Sequence, residues 1–168
     1  MIITDRKIFL IGFMGSGKTH WGKIWSSQTG IPFYDLDGEI EKRENLSVSE
    51  IFETKGETYF RELEDKALKL YTSMDNFIVS CGGGTPCSDN NIALIKNSGK
   101  SIYLKCQNNI LFQRLLLEQE KRPLIKNFSH EELQDFIDSK VEEREKFYLQ
   151  ADIVLDEAMG GEISFELK

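Results

Sequence analysis

An apolar run, Ile8-Phe9-Leu10-Ile11, leads straight into Gly12-Phe13-Met14-Gly15-Ser16-Gly17-Lys18-Thr19. This GxxxxGK[ST] spacing restricts the chain more than any other feature. Such a loop must turn successive backbone N–H groups inward until they converge on an anion, and a Cβ at the glycines would block that approach. It also has to join a strand to a helix, whose N-terminal dipole adds to the attraction. The sequence predicts a buried strand over Ile8–Phe13 and a helix over Gly17–Gln28, stopped by Gly30 with Pro32 just beyond. In this context Lys18 reaches the β- and γ-phosphates of a nucleotide and Thr19 offers a hydroxyl to Mg²⁺.

The rest of the chain repeats the strand–helix alternation. Pro32–Asp35, Phe77–Ser80, Ser101–Leu104 and Asp152–Leu155 read as strands. Ser47 with Glu50 is a capping box before Ile51 and Phe52, and Gly56 ends that helix. Glu57–Tyr71 continues as another, with Phe60, Leu63, Ala67 and Leu70 at helical spacing. Ile110–Leu117 is a helix, and Lys121–Phe128 has loop character, with Pro123 interrupting helix continuation. Ser129 with Glu132 opens a long helix to about Gln150. The alternation predicts an α/β fold with a mostly parallel sheet covered on both faces. Ligands of such sheets bind at the carboxyl ends of the strands, which the loops after Phe13, Asp35 and Cys81 all leave. The 168 residues suit one domain, 1–168.

Charge and cysteine usage exclude several classes. The net charge of −7 leaves no basic footprint for nucleic acid. Cys81, Cys87 and Cys106 are odd in number and lack CxxC spacing, which fits reduced thiols in a cytoplasm. The longest apolar stretch, Ile8–Met14, is too short to span a bilayer and lacks a signal-peptide cleavage pattern. No NKxD segment is present to read a guanine base, and the chain is short for a motor ATPase. A small phosphotransferase remains, which needs an acceptor site facing the γ-phosphate.

Several residues are candidates for that site, each with a plainer alternative. Asp35 and Asp37 share a strand face at i and i+2, so one could hold hydrated Mg²⁺ while the other deprotonates a hydroxyl. Alternatively Asp37 is the helix N-cap before Gly38 and Glu39. Only six arginines stand against fifteen lysines, so each arginine invites a reason. Arg61 is either a surface i,i+3 pair with Glu64 or half of a bidentate grip on a carboxylate. The same choice holds for Arg144, which lies between Glu143 and Glu145. Arg122 is either a solvated loop charge or a cation that a flap delivers to the γ-phosphate. Gly82–Gly84 permit a tight turn or a close approach of backbone to ligand. Cys81 reads as a small buried hydrophobe. His20 and His130 lie outside any metal spacing and read as solvent-facing or helix-start residues. Trp25, Phe52, Tyr59 and Phe60 read as core.

Taken together, "GFMGSGKT", "FYDLDGEIE", "IFETKGETYFRELE", "SCGGGTP", "KRPLI" and "EEREKFYLQAD" resemble the shikimate kinase family in order and spacing, from about Ile8 to Asp152. The resemblance implies a three-layer α/β/α P-loop fold like that of nucleoside-monophosphate kinases. Its parts would be a five-stranded parallel sheet, a mobile lid at about 118–128 and a helical substrate-binding region at about 35–63. It implies ATP-dependent phosphorylation of the 3-hydroxyl of shikimate, in aromatic amino-acid biosynthesis. The chain itself is expected to be a cytoplasmic monomer. By the same resemblance, Gly15, Ser16, Gly17, Lys18, Thr19 and His20 cradle the phosphates, and Lys18 stabilises the transferring group. Thr19 ligates Mg²⁺, and Asp35 holds it through water. Asp37 contacts the shikimate hydroxyls and accepts the proton. Arg61 and Arg144 clamp the carboxylate beside the Gly83 backbone. Arg122 reaches the ATP phosphates from the lid, and Arg114 stacks on adenine. The tail "MGGEISFELK" departs from the family pattern, with Lys168 as its one basic group, and leaves the adenine-side contacts open. A gluconate kinase would share the fold but not the paired aspartates with Arg61 and Arg144. A regulatory protein that has lost its chemistry would not need Lys18, Thr19, Asp37 and Arg122 intact.

Overall fold

The computed structural model describes residues 2–122, 124–156 and 163–165, so Pro123 and most of the tail lie outside the described residues. The strands are β1 (Ile2–Ile3), β2 (Lys7–Ile11), β3 (Phe33–Asp35), β4 (Phe77–Ser80), β5 (Lys100–Lys105), β6 (Ile153–Asp156) and β7 (Ser164–Phe165). The helices are α1 (Lys18–Thr29), α2 (Leu36–Glu44), α3 (Val48–Thr72), α4 (Asp89–Ser98), α5 (Asn108–Glu118) and α6 (His130–Tyr148). Five strands form one parallel sheet in the order β3-β4-β2-β5-β6, while β1 and β7 pair separately.

The central strands are apolar on both faces because both are covered. Ile8, Leu10, Ile78, Ile102 and Leu104 share a core cluster with Trp25 of α1. Phe9, Ile11, Phe77, Val79 and Tyr103 form the other, with Leu68 of α3, Ile95 of α4, Leu111 of α5 and Ile137 of α6. The helix–sheet–helix layering and five parallel strands are those expected from the sequence. Both capping boxes, Ser47 with Glu50 and Ser129 with Glu132, are present. At Gly56 the backbone leaves helical geometry, so α3 is kinked between the two segments expected there.

Two expectations need correction. The buried stripe of α3 runs through Phe60, Glu64, Ala67, Leu68 and Tyr71, whereas Leu70 is 45% exposed. A spacing of 60, 63, 67 and 70 drifts off the buried face, and the 60-64-67-68-71 rows stay on it. Three elements were also not foreseen, namely α4 and the paired strands β1 and β7. Two-residue strands carry no periodicity to read, and α4 follows a glycine run that masks its start. Among the described residues, no helix is long and apolar enough to cross a membrane.

Candidate active site

A cleft of about 610 Å³ opens at the carboxyl ends of β2, β3 and β4. Its lining includes Gly15, Gly17, Lys18, Thr19, His20, Asp35, Asp37, Gly82, Gly83, Arg114, Glu118 and Arg122. The strand-end loops therefore converge as the parallel topology requires.

On one wall, the loop after β2 feeds α1. Gly17 is the N-cap of α1 at φ 91, and no side chain caps the helix. A residue with a Cβ would be strained there, and the first N–H groups of α1 face the cleft without a competing acceptor. Ser16 is 1% exposed and its Oγ has no partner among the described residues. Lys18 is 8% exposed and donates to the carbonyls of Gly12 and Phe13, both at 2.8 Å. Burial lowers its pKa to about 8, against the attraction of Asp37 and other neighbours. Exposed His20 lines the cleft and meets Trp21 edge-on at 5.2 Å.

Facing that wall are the two aspartates. Asp35 is the N-cap of α2, its Oδ1 accepting from Gly38 N at 3.3 Å, while its Oδ2 accepts from Thr19 Oγ1 at 2.9 Å. The cap reading of Asp37 is thus overturned, because α2 begins one residue before Asp37 and Asp35 already fills the cap. The shared strand face is overturned too: Asp35 closes β3 while Asp37 stands in the first turn of α2. Both nevertheless line the cleft. Asp37 Oδ1 is buried with no hydrogen-bond partner among the described residues. Burial, helped by Glu64 and Asp35 nearby, raises the Asp37 pKa to about 7 despite Lys18.

The triglycine turn after β4 packs against two arginines. A Cβ on Gly82 would lie 2.6 Å from Asp37 Oδ1 and 2.8 Å from Glu64 Oε1, and one on Gly84 would lie 2.5 Å from Arg61 Nη1. Only glycine admits such contacts. Arg144 packs its guanidinium 5.8 Å over the Phe13 ring, and its Nη1 lies 3.5 Å from where a Gly83 Cβ would be. Both arginines pack against the turn, Arg61 at Gly84 and Arg144 at Gly83. Gly83 O accepts from Tyr148 Oη at 2.6 Å.

The i,i+3 pair of Arg61 with Glu64 is present, but it is not a surface pair. Arg61 does bond Glu57, at 2.9 Å, and Glu64, but Glu64 is 1% exposed, inside the protein. The neighbours expected for Arg144 are engaged elsewhere, Glu145 with Lys105 at 2.7 Å and Glu143 with Lys140 at 2.6 Å. Arg122 is not a bare loop charge, since it pairs with Glu118 at 2.5 Å. Arg114 Nη1 donates to Gly15 O at 3.1 Å, which fastens α5 to the phosphate-binding loop. Cys81 is buried, and burial pushes its thiol well above the usual range, as an inert hydrophobe requires. Exposed His130 begins α6 as expected. Trp25 and Phe60 are buried, with Phe52 and Tyr59 packed against the core.

Sequence reasoning missed Glu64, Thr85 and Tyr148. Glu64 left one signal: it is a lone carboxylate on the buried stripe of an amphipathic helix, where an unpaired charge would be costly.

Comparison with known proteins agrees with this geometry. A family model described as shikimate kinase matches residues 14–163. The shikimate kinase of Flavobacterium johnsoniae is 46% identical over 147 residues, covering 86% of this chain and 86% of that one. The crystal structure of Bacteroides thetaiotaomicron shikimate kinase superposes with a TM-score of 0.85 at 39% identity, covering 89% of this chain and 85% of that one. Acinetobacter baumannii shikimate kinase in complex with shikimate also gives 0.85, at 27% identity over 95% and 90% of the two chains. A glycine cradle, an unpartnered buried carboxylate and two arginines behind a triglycine turn, together with these matches over most of the chain, make it a member of the shikimate kinase family.

Proposed function

We propose that this chain transfers the γ-phosphoryl group of ATP to the 3-hydroxyl of shikimate, giving shikimate 3-phosphate and ADP, a step toward aromatic amino acids. The observation that carries the reading is the opposition of Lys18 and the helix N-terminus to the unpartnered Asp37 Oδ1 across one cleft. One wall suits phosphates; the other suits a hydroxyl that must lose a proton.

The residues divide the work as follows. Gly15 to His20 hold the phosphates through backbone N–H groups. Lys18 exchanges its two carbonyl acceptors for phosphate oxygens and stabilises charge on the group in flight. Asp37 orients the 3-hydroxyl and accepts its proton. Arg61 and Arg144, braced behind Gly84 and Gly83, grip the substrate carboxylate, while the region 35–63 supplies the surrounding wall. Arg122 trades Glu118 for a phosphate oxygen as the segment 118–128 closes, and Arg114 flanks the adenine side.

The oxygens present fit Mg²⁺. Thr19 Oγ1 and Asp35 Oδ2 lie 2.9 Å apart at the cleft, and both are hard donors. Among the described residues no cluster of three His, Cys, Asp or Glu could cage a metal, which suits an ion shared with substrate phosphates and water. When bound, the ion neutralises charge on the β- and γ-oxygens. Three cysteines in no disulfide, and the net charge of −7, favour a reducing cytoplasm and no nucleic-acid partner. A coupled turnover assay with ATP, Mg²⁺ and shikimate tests the reading. ADP release that depends on shikimate is expected; release indifferent to shikimate would overturn it.

A further inference from the structure

Glu64 is a carboxylate inside the protein whose two oxygens are both engaged. Arg61 Nη1 holds Oε2, and Thr85 Oγ1 donates to Oε1 at 2.5 Å. Thr85 is itself 1% exposed, and its backbone is tied at both ends. Its N–H donates to Gly82 O at 3.1 Å, and its carbonyl accepts from Asn91 Nδ2 at 2.9 Å. Asn91 Nδ2 also donates to Asp65 Oδ1 at 2.8 Å. The turn after β4 is thus laced to α3 at two successive residues, Glu64 through the Thr85 hydroxyl and Asp65 through Asn91.

That lacing has a consequence for Arg61. A glutamate has three side-chain torsions, and a single guanidinium contact leaves its other oxygen free to swing. The Thr85 hydroxyl removes that freedom, because a buried carboxylate oxygen has to keep its donor. Glu64 Oε1 is thereby held over Gly82, beside the Thr85 hydroxyl and Asp37 Oδ1. We propose that Thr85 is a positioning residue for the substrate carboxylate: its hydroxyl fixes Glu64, and Glu64 holds Arg61 flat across Gly84, facing the triglycine turn. Thr85 touches no substrate atom. The inference rests on the reading of Arg61 as a carboxylate clamp.

The test measures shikimate Kd, shikimate KM, kcat and ATP Kd in Thr85→Val, Thr85→Ser, Arg61→Ala and the double variant Thr85→Val/Arg61→Ala. Valine keeps the shape and removes the donor, and Thr85→Ala is read in the same way should Thr85→Val not fold. Thr85→Val should weaken shikimate binding and raise its KM about tenfold, the scale of one lost buried hydrogen bond. kcat should fall less than KM rises, and ATP affinity should hold. Thr85→Ser should restore shikimate affinity to within about twofold, and Thr85→Val should add less than about twofold once Arg61 is alanine. Wild-type shikimate affinity in Thr85→Val, failure of serine to rescue, or full additivity in the double variant would overturn the proposal while leaving the clamp intact. An Arg61→Ala protein that binds shikimate normally would remove the clamp and this proposal together.

Discussion

Asp37 and Lys18 are two buried ionisable groups whose pKa values have been driven toward each other, to about 7 and about 8. The proposed mechanism needs Asp37 ionised and Lys18 protonated. At low concentrations of both substrates, where the free enzyme is the reference, the rate should follow a narrow bell. It should fall below about pH 7 and again above about pH 8. The limbs belong to the pair, since each group lies in the other's field. Asp37→Asn should lose most of kcat while nucleotide affinity, measured by calorimetry on the same preparation, stays near wild type. Wild-type turnover in that variant would take the base role away from Asp37. The same burial acts on stability. A carboxylate raised from 3.8 to about 7 gives its full stability below pH 3.8 and loses it as pH climbs through 7. Asp37→Asn should therefore raise Tm more at pH 8 than at pH 5, each kcal/mol counting for about 2–4 °C in a domain of this size. Lys18→Ala should fold and bind shikimate, yet lose on the order of 10²–10³ in kcat, as expected for removing one donor to a developing charge. As candidates they were legible because glycine spacing marks Lys18 and Asp37 follows a strand end by two residues. Which aspartate caps α2 was not, because the cap depends on where the helix starts, and sequence locates a helix end only to within a few residues.

At the scale of elements, the proposed closure concerns the segment after α5. The 3₁₀ turn Gln119–Lys121 follows α5 directly, and Leu117 and Leu124 are 86% and 61% exposed. Its far end is fixed: Ile125 is fully buried, and Gln119 Nε2 ties back to the carbonyls of Ile125 and Phe128 at 2.8 and 2.7 Å. Hydrogen exchange should therefore show fast amides around 119–122 in the free protein, slowed when ATP and shikimate are both present, with little change at Ile125. Equal protection in both states would argue against closure. A loop was expected over this stretch from its polar composition, but not its anchor, since one isoleucine in a polar run carries no periodicity. Helix α3 teaches the same lesson. Its capping box and its break at Gly56 are local and could be read directly. Its buried face had to be inferred from apolar residues alone, so the buried Glu64 was overlooked and the stripe was set one position astray.

In the whole molecule, the sheet divides two cores, and the cleft sits at the carboxyl ends of its strands β2, β3 and β4. Phe9 is fully buried on the central strand β2, while Val154 on the edge strand β6 is 46% exposed. Phe9→Ala should cost about 3–5 kcal/mol in denaturant unfolding, whereas Val154→Thr should change stability by less than about 0.5 kcal/mol. The parallel topology was readable from the alternation of strands and helices; the β1–β7 closure was not, because it joins two short terminal segments far apart in sequence. That closure ends on an aromatic stack. Phe165 leans on Trp25 at 5.8 Å, Trp25 stacks with Trp21 at 6.0 Å, and Trp21 meets His20 beside the phosphate cradle. The chain has only these two tryptophans, and they stand one helical turn apart on α1. The protein's ultraviolet emission should therefore serve as an optical gauge of the proposed nucleotide site. Titration with ATP should shift or quench it saturably, with the same midpoint that calorimetry gives, and Trp21→Phe should remove most of that signal while leaving the affinity in place.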